Sequence, residues 1–231
     1  MERFARAAAA IAARSGKLEK IAVLADYLRE LGDADLIAAT RFFTGRAFAA
    51  RDSRTLSIGG RSIVKVARAL WNFDDAALGE AYRSTGDLGS ALAQLVRPPA
   101  APMLLPEPPL TPARLDDLFG EIGDAVGKNA AKRRESALEQ ILRACREPAV
   151  AAYVVKIVTG DLRLGLREGL VLDAIAHAFA AEPAAVRRAV MASGDVGAAA
   201  LAARDQRLDD VRVEYGTPIG FMLASPIAYG Q

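Results

Sequence analysis

The stretch "VTGDLRLGLREGLVLDAIAHAF" (158–179) combines two patterns. Its second half carries apolar residues at helical spacing. Its first half places Gly160, Arg163, Gly165 and Arg167 within eight residues, in a chain otherwise rich in alanine. Glycine permits turn conformations and lets backbone amides approach a partner closely. The stretch therefore predicts a tight, arginine-bearing turn that leads into a helix.

Helical periodicity extends over most of the 231 residues, and the chain is 52% hydrophobic with mean hydropathy +0.15. That composition supplies an ample core for one large or two small domains. Because runs of β-branched residues are few, we expect an all-α fold of about twelve helices. The predicted helices span 2–14, 17–31, 33–43, 60–71, 74–84, 87–97, 112–126, 130–145, 147–158, 166–180, 182–193 and 195–208.

A proline-rich segment, "RPPAAPMLLPEPPLTP" (97–112), interrupts the helices with seven prolines. Proline nitrogens cannot donate hydrogen bonds, so we expect residues 98–111 to form an extended tether. Thr111 is a suitable N-cap for the next helix, with Pro112 at its first position.

The halves on either side of this tether resemble each other in three places that occur in the same order. They predict an internal duplication, with lobes at about 1–97 and 112–213 related by a pseudo-twofold axis. Within them, Gly86 and Gly194 are predicted to end helices, and Asp87 and Asp195 to cap the next. The matching pairs are "RFFTGR" (41–46) with "KIVTGD" (156–161), "LSIGGRSIVKVARAL" (56–70) with "LRLGLREGLVLDAIA" (162–176), and "STGDLGSALA" (84–93) with "ASGDVGAAAL" (192–201).

The turn before the predicted helix at 166–180 has the chemistry of a phosphate site. A helix N-terminus offers free amides, and the guanidinium groups of Arg163 and Arg167 add charge and several donors. Between its two glycines, Arg163 has little room to fold back onto its own lobe. The alternative is a tight connection with solvated arginines. The first half repeats the composition with Gly59, Gly60, Arg61 and Lys65.

Two further basic clusters lie at predicted helix starts. "GKNAAKRRES" (127–136) includes Lys128, Lys132 and Arg133, and the shorter "SGKLEK" (15–20) includes Lys17. Cations at a helix start oppose the helix dipole, so an external anion would relieve them. A solvated surface is the alternative for either cluster. Because the net charge is only +2, any nucleic-acid binding must arise from such local clustering.

Several kinds of chemistry are missing from the sequence. One cysteine, Cys145, and one histidine, His177, exclude a disulfide framework and a Cys/His zinc site. We expect Cys145 to be buried near a helix end and His177 to be packed or half-exposed. The Asp74-Asp75 and Asp116-Asp117 pairs stand where helices begin, which capping explains. Walker, H-E-x-x-H and G-x-S-x-G motifs are absent, so we predict no catalytic residue and no metal site.

No stretch approaches the ~18 apolar residues of a membrane span. We therefore expect no membrane partner and a cytoplasmic location, associated with the nucleoid if the source is bacterial.

The stretch at 158–179 resembles the most characteristic part of the N-terminal DNA-binding domain of ATP-dependent DNA ligases. The family pattern there is a small residue, Gly, a variable residue, Leu-Arg-[Leu/Ile]-Gly and a helix. Other segments resemble the family in the expected order, namely "LPEPPLT" (105–111), "ALEQILRACREPAVAAYVVKIVTGDLRLGL" (137–166), the two "GD[LV]G" corners and "TPIGFMLASP" (217–226).

The resemblance implies a helical domain of two pseudo-symmetric lobes that lies across the minor groove of nicked duplex DNA. Arg163 matches the family's arginine at the minor groove. The family's backbone-contact positions are matched by Gly160, Gly165 and Arg167. At the position of Arg167, however, family members often have a small residue. The implied partners are nicked double-stranded DNA and a catalytic core of adenylation and OB-fold domains. The resemblance places ATP and Mg²⁺ in that core and no cofactor in this chain.

The chain also departs from the family pattern. It has no K-x-D-G, the motif of the adenylated lysine, and Gly220-Phe221 replace the usual basic residue and proline. We interpret 1–213 as an excised DNA-binding domain, and 214–231 as the lead-in to an absent catalytic core. A stand-alone relative is the alternative. A helical scaffold that binds protein remains the rival function, and an enzyme acting on small molecules lacks an acid/base pair.

Overall fold

The computed structural model describes residues 1–97 and 108–213, which form twelve α-helices, one short 3-10 helix and no strand. The all-α prediction is confirmed, and the helix bounds agree with the predicted ones to within a few residues. The helices are α1 (Glu2–Ala12), α2 (Lys17–Arg29), α3 (Asp33–Phe43), α4 (Gly60–Trp71), α5 (Asp75–Thr85), α6 (Leu88–Leu95), α7 (Pro112–Gly123), α8 (Ala130–Ala144), α9 (Pro148–Thr159), α10 (Glu168–Ala178), α11 (Pro183–Ser193) and α12 (Val196–Arg204), and the 3-10 helix is Leu208–Asp210.

Local sequence signals set most of these helix ends. Thr111 accepts a hydrogen bond from the Arg114 amide at 3.1 Å, and Pro112 begins α7, both as predicted. The two "GD[LV]G" corners also behave as predicted. Gly86 and Gly194 end α5 and α11 in the left-handed conformation. The carboxylates of Asp87 and Asp195 then cap α6 and α12. Such caps supply acceptors to helix amides that have no partner within the helix.

The major helix contacts cross between the two halves of the sequence. Helix α2 packs on α10 and α3 on α12, while α4 packs on α8 and α6 on α9. When each helix number is raised by six, counting on from α12 to α1, the α2–α10 pair becomes α8–α4 and the α3–α12 pair becomes α9–α6. This correspondence supports an internal duplication. Packing partners lie on opposite sides of the predicted boundary between lobes, so the halves are interleaved. The pseudo-twofold relation of two lobes stays a prediction.

An aromatic cluster lies where α1, α2, α3 and α9 meet. Phe4 of α1 contacts Phe43 with ring centroids 4.4 Å apart, and its ring edge meets Tyr27, Phe42 and Tyr153. Phe4 and Phe42 are completely buried. Burying one such side chain contributes roughly 1.5–3 kcal/mol to folding. The core therefore depends on residues from both halves of the chain.

Two matched glycines allow close helix contacts in this core. A Cβ on Gly89 of α6 would lie 2.5 Å from the carbonyl oxygen of Ala152 in α9. A Cβ on Gly197 of α12 would lie 2.6 Å from the carbonyl oxygen of Ile37 in α3. Real Cβ atoms do not approach this closely, so both positions require glycine. The duplicated corner therefore serves helix packing as well as helix capping.

Two matched ion pairs hold the same corners. Arg41 contacts Asp195 at 2.6 Å, and Lys156 contacts Asp87 at 3.4 Å. Burial opposes ionisation of Asp195, which is only 3% exposed, but hydrogen bonds and charge from Arg41 lower its pKa overall. Arg41 also reaches Asp116 at 3.2 Å. Helix capping alone was therefore an incomplete explanation for Asp116, whose pKa is raised by burial and by neighbouring carboxylates.

Two predicted segments fall outside the described residues. These are residues 98–107 of the tether and residues 214–231, the predicted lead-in to a catalytic core.

Candidate nucleic-acid interface

The second-half turn, which we define as residues 160–167, connects α9 to α10. Gly160 and Gly165 have φ angles of 72° and 61°, in the left-handed region that glycine adopts without strain. Leu162 and Leu164 are buried at 7% and 4% exposure, whereas Arg163 is exposed. The leucines therefore anchor the turn in the core and leave the side chain between them at the surface.

Arg163 is held against a neighbouring corner of the fold. Its Nη1 donates to the carbonyl oxygen of Gly86 at 3.0 Å, and its Nε donates to Asp161 at 2.8 Å. The hydrogen bond and charge of Asp161 raise the pKa of Arg163. The α5–α6 corner belongs to the first half of the chain, so within its own half the guanidinium contacts only the neighbouring Asp161 among the described residues. The guanidinium is oriented there while the side chain stays half exposed.

Lys20 of α2 also meets the second-half turn. Its Nζ donates to the Leu164 carbonyl oxygen at 2.7 Å and would lie 2.8 Å from a Cβ on Gly165. The sequence analysis selected Lys17, which is exposed at the first position of α2, and did not select Lys20. Only the packing of α2 on α10 shows that Lys20 reaches the turn.

The first-half turn, residues 56–60, differs from its counterpart in backbone conformation. Gly59 caps α4 in an extended conformation, and Gly60 is the first residue of that helix. The two turns agree at one position, because Ser57 and the matching Arg163 are both left-handed, with φ angles of 48° and 54°. A Cβ on Gly59 would have nothing within 4 Å. Neither backbone strain nor internal packing explains a glycine at position 59.

The cations after the first-half turn have different surroundings. Arg61 is exposed in the first turn of α4 and makes no side-chain hydrogen bond or ion pair within 1–97 and 108–213. Lys65 donates to both carboxylate oxygens of Glu135 at 2.8 Å. This ion pair connects α4 to the start of α8.

The start of α8 is only partly available to an external anion. Its N-cap, Asn129, makes no side-chain capping bond, and Lys128 and Lys132 are exposed. Arg133, however, donates to the Val126 carbonyl oxygen. One of the predicted basic residues is therefore already engaged with the preceding connection.

Direct contacts link the separate predicted residues into one connected surface. Lys20 contacts the second-half turn, and Arg163 of that turn contacts the α5–α6 corner. At that corner, Tyr82 and Leu88 line a groove together with Gly60, Arg61 and Lys65. Elsewhere, Gly59 and Gly160 line a common cleft formed by residues 45–50, 52, 54–59 and 157–160. Both glycine turns therefore belong to one region, and Lys65 extends it to α8 through Glu135.

The family comparison identifies the kind of protein that carries this surface. Residues 1–176 match the model of the family described as "DNA ligase N terminus". The chain belongs to this DNA ligase N-terminal family. The resemblance found in the sequence is thereby confirmed.

Individual relatives extend the comparison over nearly the whole ligase N-terminal domain. A probable DNA ligase from Koribacter versatilis is 40% identical over 98% of this chain, and one from Opitutus terrae is 38% identical over 97%. A DNA ligase from Archaeoglobus fulgidus is 30% identical over 91%. The matches cover 38%, 24% and 38% of these relatives, respectively, so the chain spans well under half of their length.

Other reactive groups of this domain lie apart from the connected surface. Cys145 is buried at the end of α8, as predicted, and burial raises the pKa of its thiol to about 12. His177 of α10 is exposed beside Arg29. Within 1–97 and 108–213, no three His, Cys, Asp or Glu side chains stand close enough to hold a metal ion.

The membrane-spanning potential of the described helices is weak. No single helix among them has the length and apolar composition of a span. Helices α10 and α11 meet those criteria only when combined, and they are bent by 119° relative to each other.

Proposed function

We propose that this domain binds nicked duplex DNA without sequence preference, through phosphates and the minor groove. The connected surface around the two glycine turns carries the proposal. The ends of α4 and α10 that face these turns lack side-chain caps, so their amides remain available to phosphate oxygens. Arg163, in the turn that precedes α10, has its guanidinium held by Asp161 and Gly86.

The number of available cations is sufficient for a moderate number of phosphate contacts. Five exposed cations of the predicted set make no side-chain hydrogen bond or ion pair in the described part of the chain, and Arg163 is half exposed. About four to six phosphate contacts follow if most of them meet DNA. Such contacts carry no sequence information, so binding depends on backbone geometry. The five are Lys17, Arg61, Lys128, Lys132 and Arg167.

In the parent protein, we propose that this domain holds a nick for an ATP-dependent ligase core made of adenylation and OB-fold domains. We assign ATP and Mg²⁺ to that core because the resemblance to ATP-dependent DNA ligases implies it. The parent would act in DNA replication, repair or recombination, in the cytoplasm or at the nucleoid. This assignment rests on family membership.

The decisive experiment measures binding to labelled nicked and intact duplexes by fluorescence anisotropy at several salt concentrations. Counterion release predicts a slope of about −4 to −5 in log K against log salt. A shuffled duplex should bind equally well. A helical scaffold for proteins is the rival function, and an apolar interface responds little to salt. Absent or salt-independent DNA binding would support that rival.

A further inference from the structure

A surface groove between α4 and the end of α5 lies beside the residues assigned to DNA. We call it the Tyr82 groove. Its lining combines apolar side chains, among them Val64, Tyr82 and Leu88, with the cations Arg61, Lys65 and Arg68. Lys65 pairs with Glu135 and Arg68 with Asp75, so Arg61 is the cation of this lining that has no ion pair within the described residues. None of its lining residues is acidic. By contrast, the cavity beside Met1 is lined by both acidic and basic residues.

We propose that the Tyr82 groove receives the sugar–phosphate backbone of one DNA strand. The inference rests on the proposed function and adds a specific, largely nonpolar contact to it. Deoxyribose presents apolar C–H groups between anionic phosphates. A lining that combines apolar side chains with cations is complementary to that alternation, and the basic charge disfavours a basic or purely apolar partner.

Continuity with the connected surface places the groove on the DNA path. Gly86, whose carbonyl oxygen binds Arg163, follows Tyr82 by one helical turn, and its amide donates to the Tyr82 carbonyl oxygen at 2.8 Å. A strand that meets Arg163 therefore has the groove directly beside it.

The placement of exposed apolar side chains supports a nonpolar component of binding. Tyr82 is 49% exposed, although large apolar side chains are usually covered. Leu18 is 80% exposed between Lys17 and Lys20, and Val126 is 71% exposed just before the α8 cluster. Exposed apolar residues among cations are suited to the walls of a minor groove, where proteins place apolar side chains.

The test compares the whole chain and its variants on a nicked duplex. Tyr82→Ala should weaken binding about threefold to tenfold, because it removes apolar contact area. It should leave the salt slope unchanged. Tyr82→Phe retains the ring and should bind like the parent, whereas Arg61→Gln should reduce the salt slope by about one. Val213→Ala is the control, since Val213 is 63% exposed and does not line the groove.

Hydroxyl-radical footprinting provides a readout that does not depend on the stability of a variant. Bound parent protein should protect a short run of sugars on one strand, and Tyr82→Ala should expose that run selectively. If Tyr82→Ala binds and protects like the parent while Arg163→Ala binds weakly, the groove inference is wrong and the proposed function stands. If the parent chain shows no salt-dependent DNA binding, both proposals are wrong.

Discussion

Gly45 and Gly160 lie against each other where the turn that follows α3 meets the turn that follows α9. A Cβ on Gly45 would stand 3.5 Å from the Gly160 carbonyl oxygen, and a Cβ on Gly160 would stand 3.8 Å from that of Gly45. Both residues have left-handed φ angles, of 78° and 72°. They occupy matching positions in "RFFTGR" and "KIVTGD". Equivalent turns of the two repeats therefore meet each other.

The glycines at 160 and 59 should respond differently to alanine. Gly160→Ala forces a side chain into the left-handed region and should lower the free energy of unfolding by about 1–2 kcal/mol. Gly59→Ala has open space and ordinary backbone angles, so only the poorer N-cap preference of alanine should count, at about 0.5–1 kcal/mol. It should nevertheless weaken duplex binding, because a DNA backbone would approach there. Urea unfolding and anisotropy separate the two effects. Unchanged binding by Gly59→Ala would count against that approach.

Arg163 and Asp161 should affect DNA binding in opposite directions. Arg163→Ala should weaken duplex binding roughly tenfold, the scale of one charge-assisted hydrogen bond. Asp161→Asn removes the carboxylate that competes with phosphate for Arg163 and should strengthen binding at low salt. Thermal midpoints should change little, because both side chains are about half exposed.

Arg188→Ala, in an exposed pair on α11, is the control for these substitutions. Arg204 is unsuitable as a control, because it is only 25% exposed and pairs with Asp33. If Arg163→Ala unfolds the protein while the folded fraction binds DNA normally, Arg163 is structural.

Asp195 should make acid stability depend on one buried charge. Asp195→Asn retains a capping oxygen but removes the charge beside Arg41, and should cost about 3 kcal/mol at neutral pH. Because the folded-state pKa lies below its ordinary value of 3.8, the contribution is complete above that pH. It is lost as the pH falls through the lowered pKa. The pKa of Asp116 is raised in the folded protein, so its ionisation lowers the stability at neutral pH, and this cost disappears as the pH falls.

Urea midpoints between pH 2 and 7 test this behaviour, and Asp33→Asn is the control because Asp33 forms an exposed pair. The Asp195→Asn deficit should shrink at low pH. A deficit of constant size would contradict the assigned role of the charge.

Gly197 should tolerate no larger residue. The added methyl of Gly197→Ala would meet backbone atoms of Ile37, so α3 and α12 must separate at a cost of about 1–3 kcal/mol. Gly169→Ala, also in a helix, meets nothing within 4 Å and should be neutral or stabilising by up to about 1 kcal/mol. Thermal unfolding of both variants is sufficient. Equal midpoints would show that the helices adjust freely.

This chain should form no covalent adenylate, because it has no K-x-D-G motif. Incubation with labelled ATP and Mg²⁺ followed by denaturing electrophoresis tests the expectation. An acid-stable labelled band on this polypeptide would contradict it. A full-length relative that contains the motif provides the positive control.

Helix ends were predictable because their causes are local. Asp87 and Gly86 act within a few residues of themselves, through an N-cap and a left-handed C-cap. Proline at the start of α7 works in the same way. The left-handed backbone at Ser57 was not predicted, because no glycine stands at that position.

The partners of the site residues were not predictable, because they are distant in sequence. Arg163 is anchored by Gly86, 77 residues away, and Lys20 by Leu164, 144 residues away. No local spacing encodes such pairs. The same applies to Arg41 and Asp195, at a separation of 154 residues. The sequence identified cations near the surface, and the tertiary contacts determine which remain free.

The interleaved packing also limits how far the chain can fold while it is still being synthesised on the ribosome. Arg29 of α2 donates to the Ala178 carbonyl oxygen, 149 residues further along the chain. The apolar sides of α2 and α3 therefore stay uncovered until α10 and α12 have been translated. Contacts so distant in sequence slow folding, and uncovered apolar helices favour aggregation. Nascent chains halted before α10 should bind chaperones that recognise apolar segments, and should release them once translation passes α12.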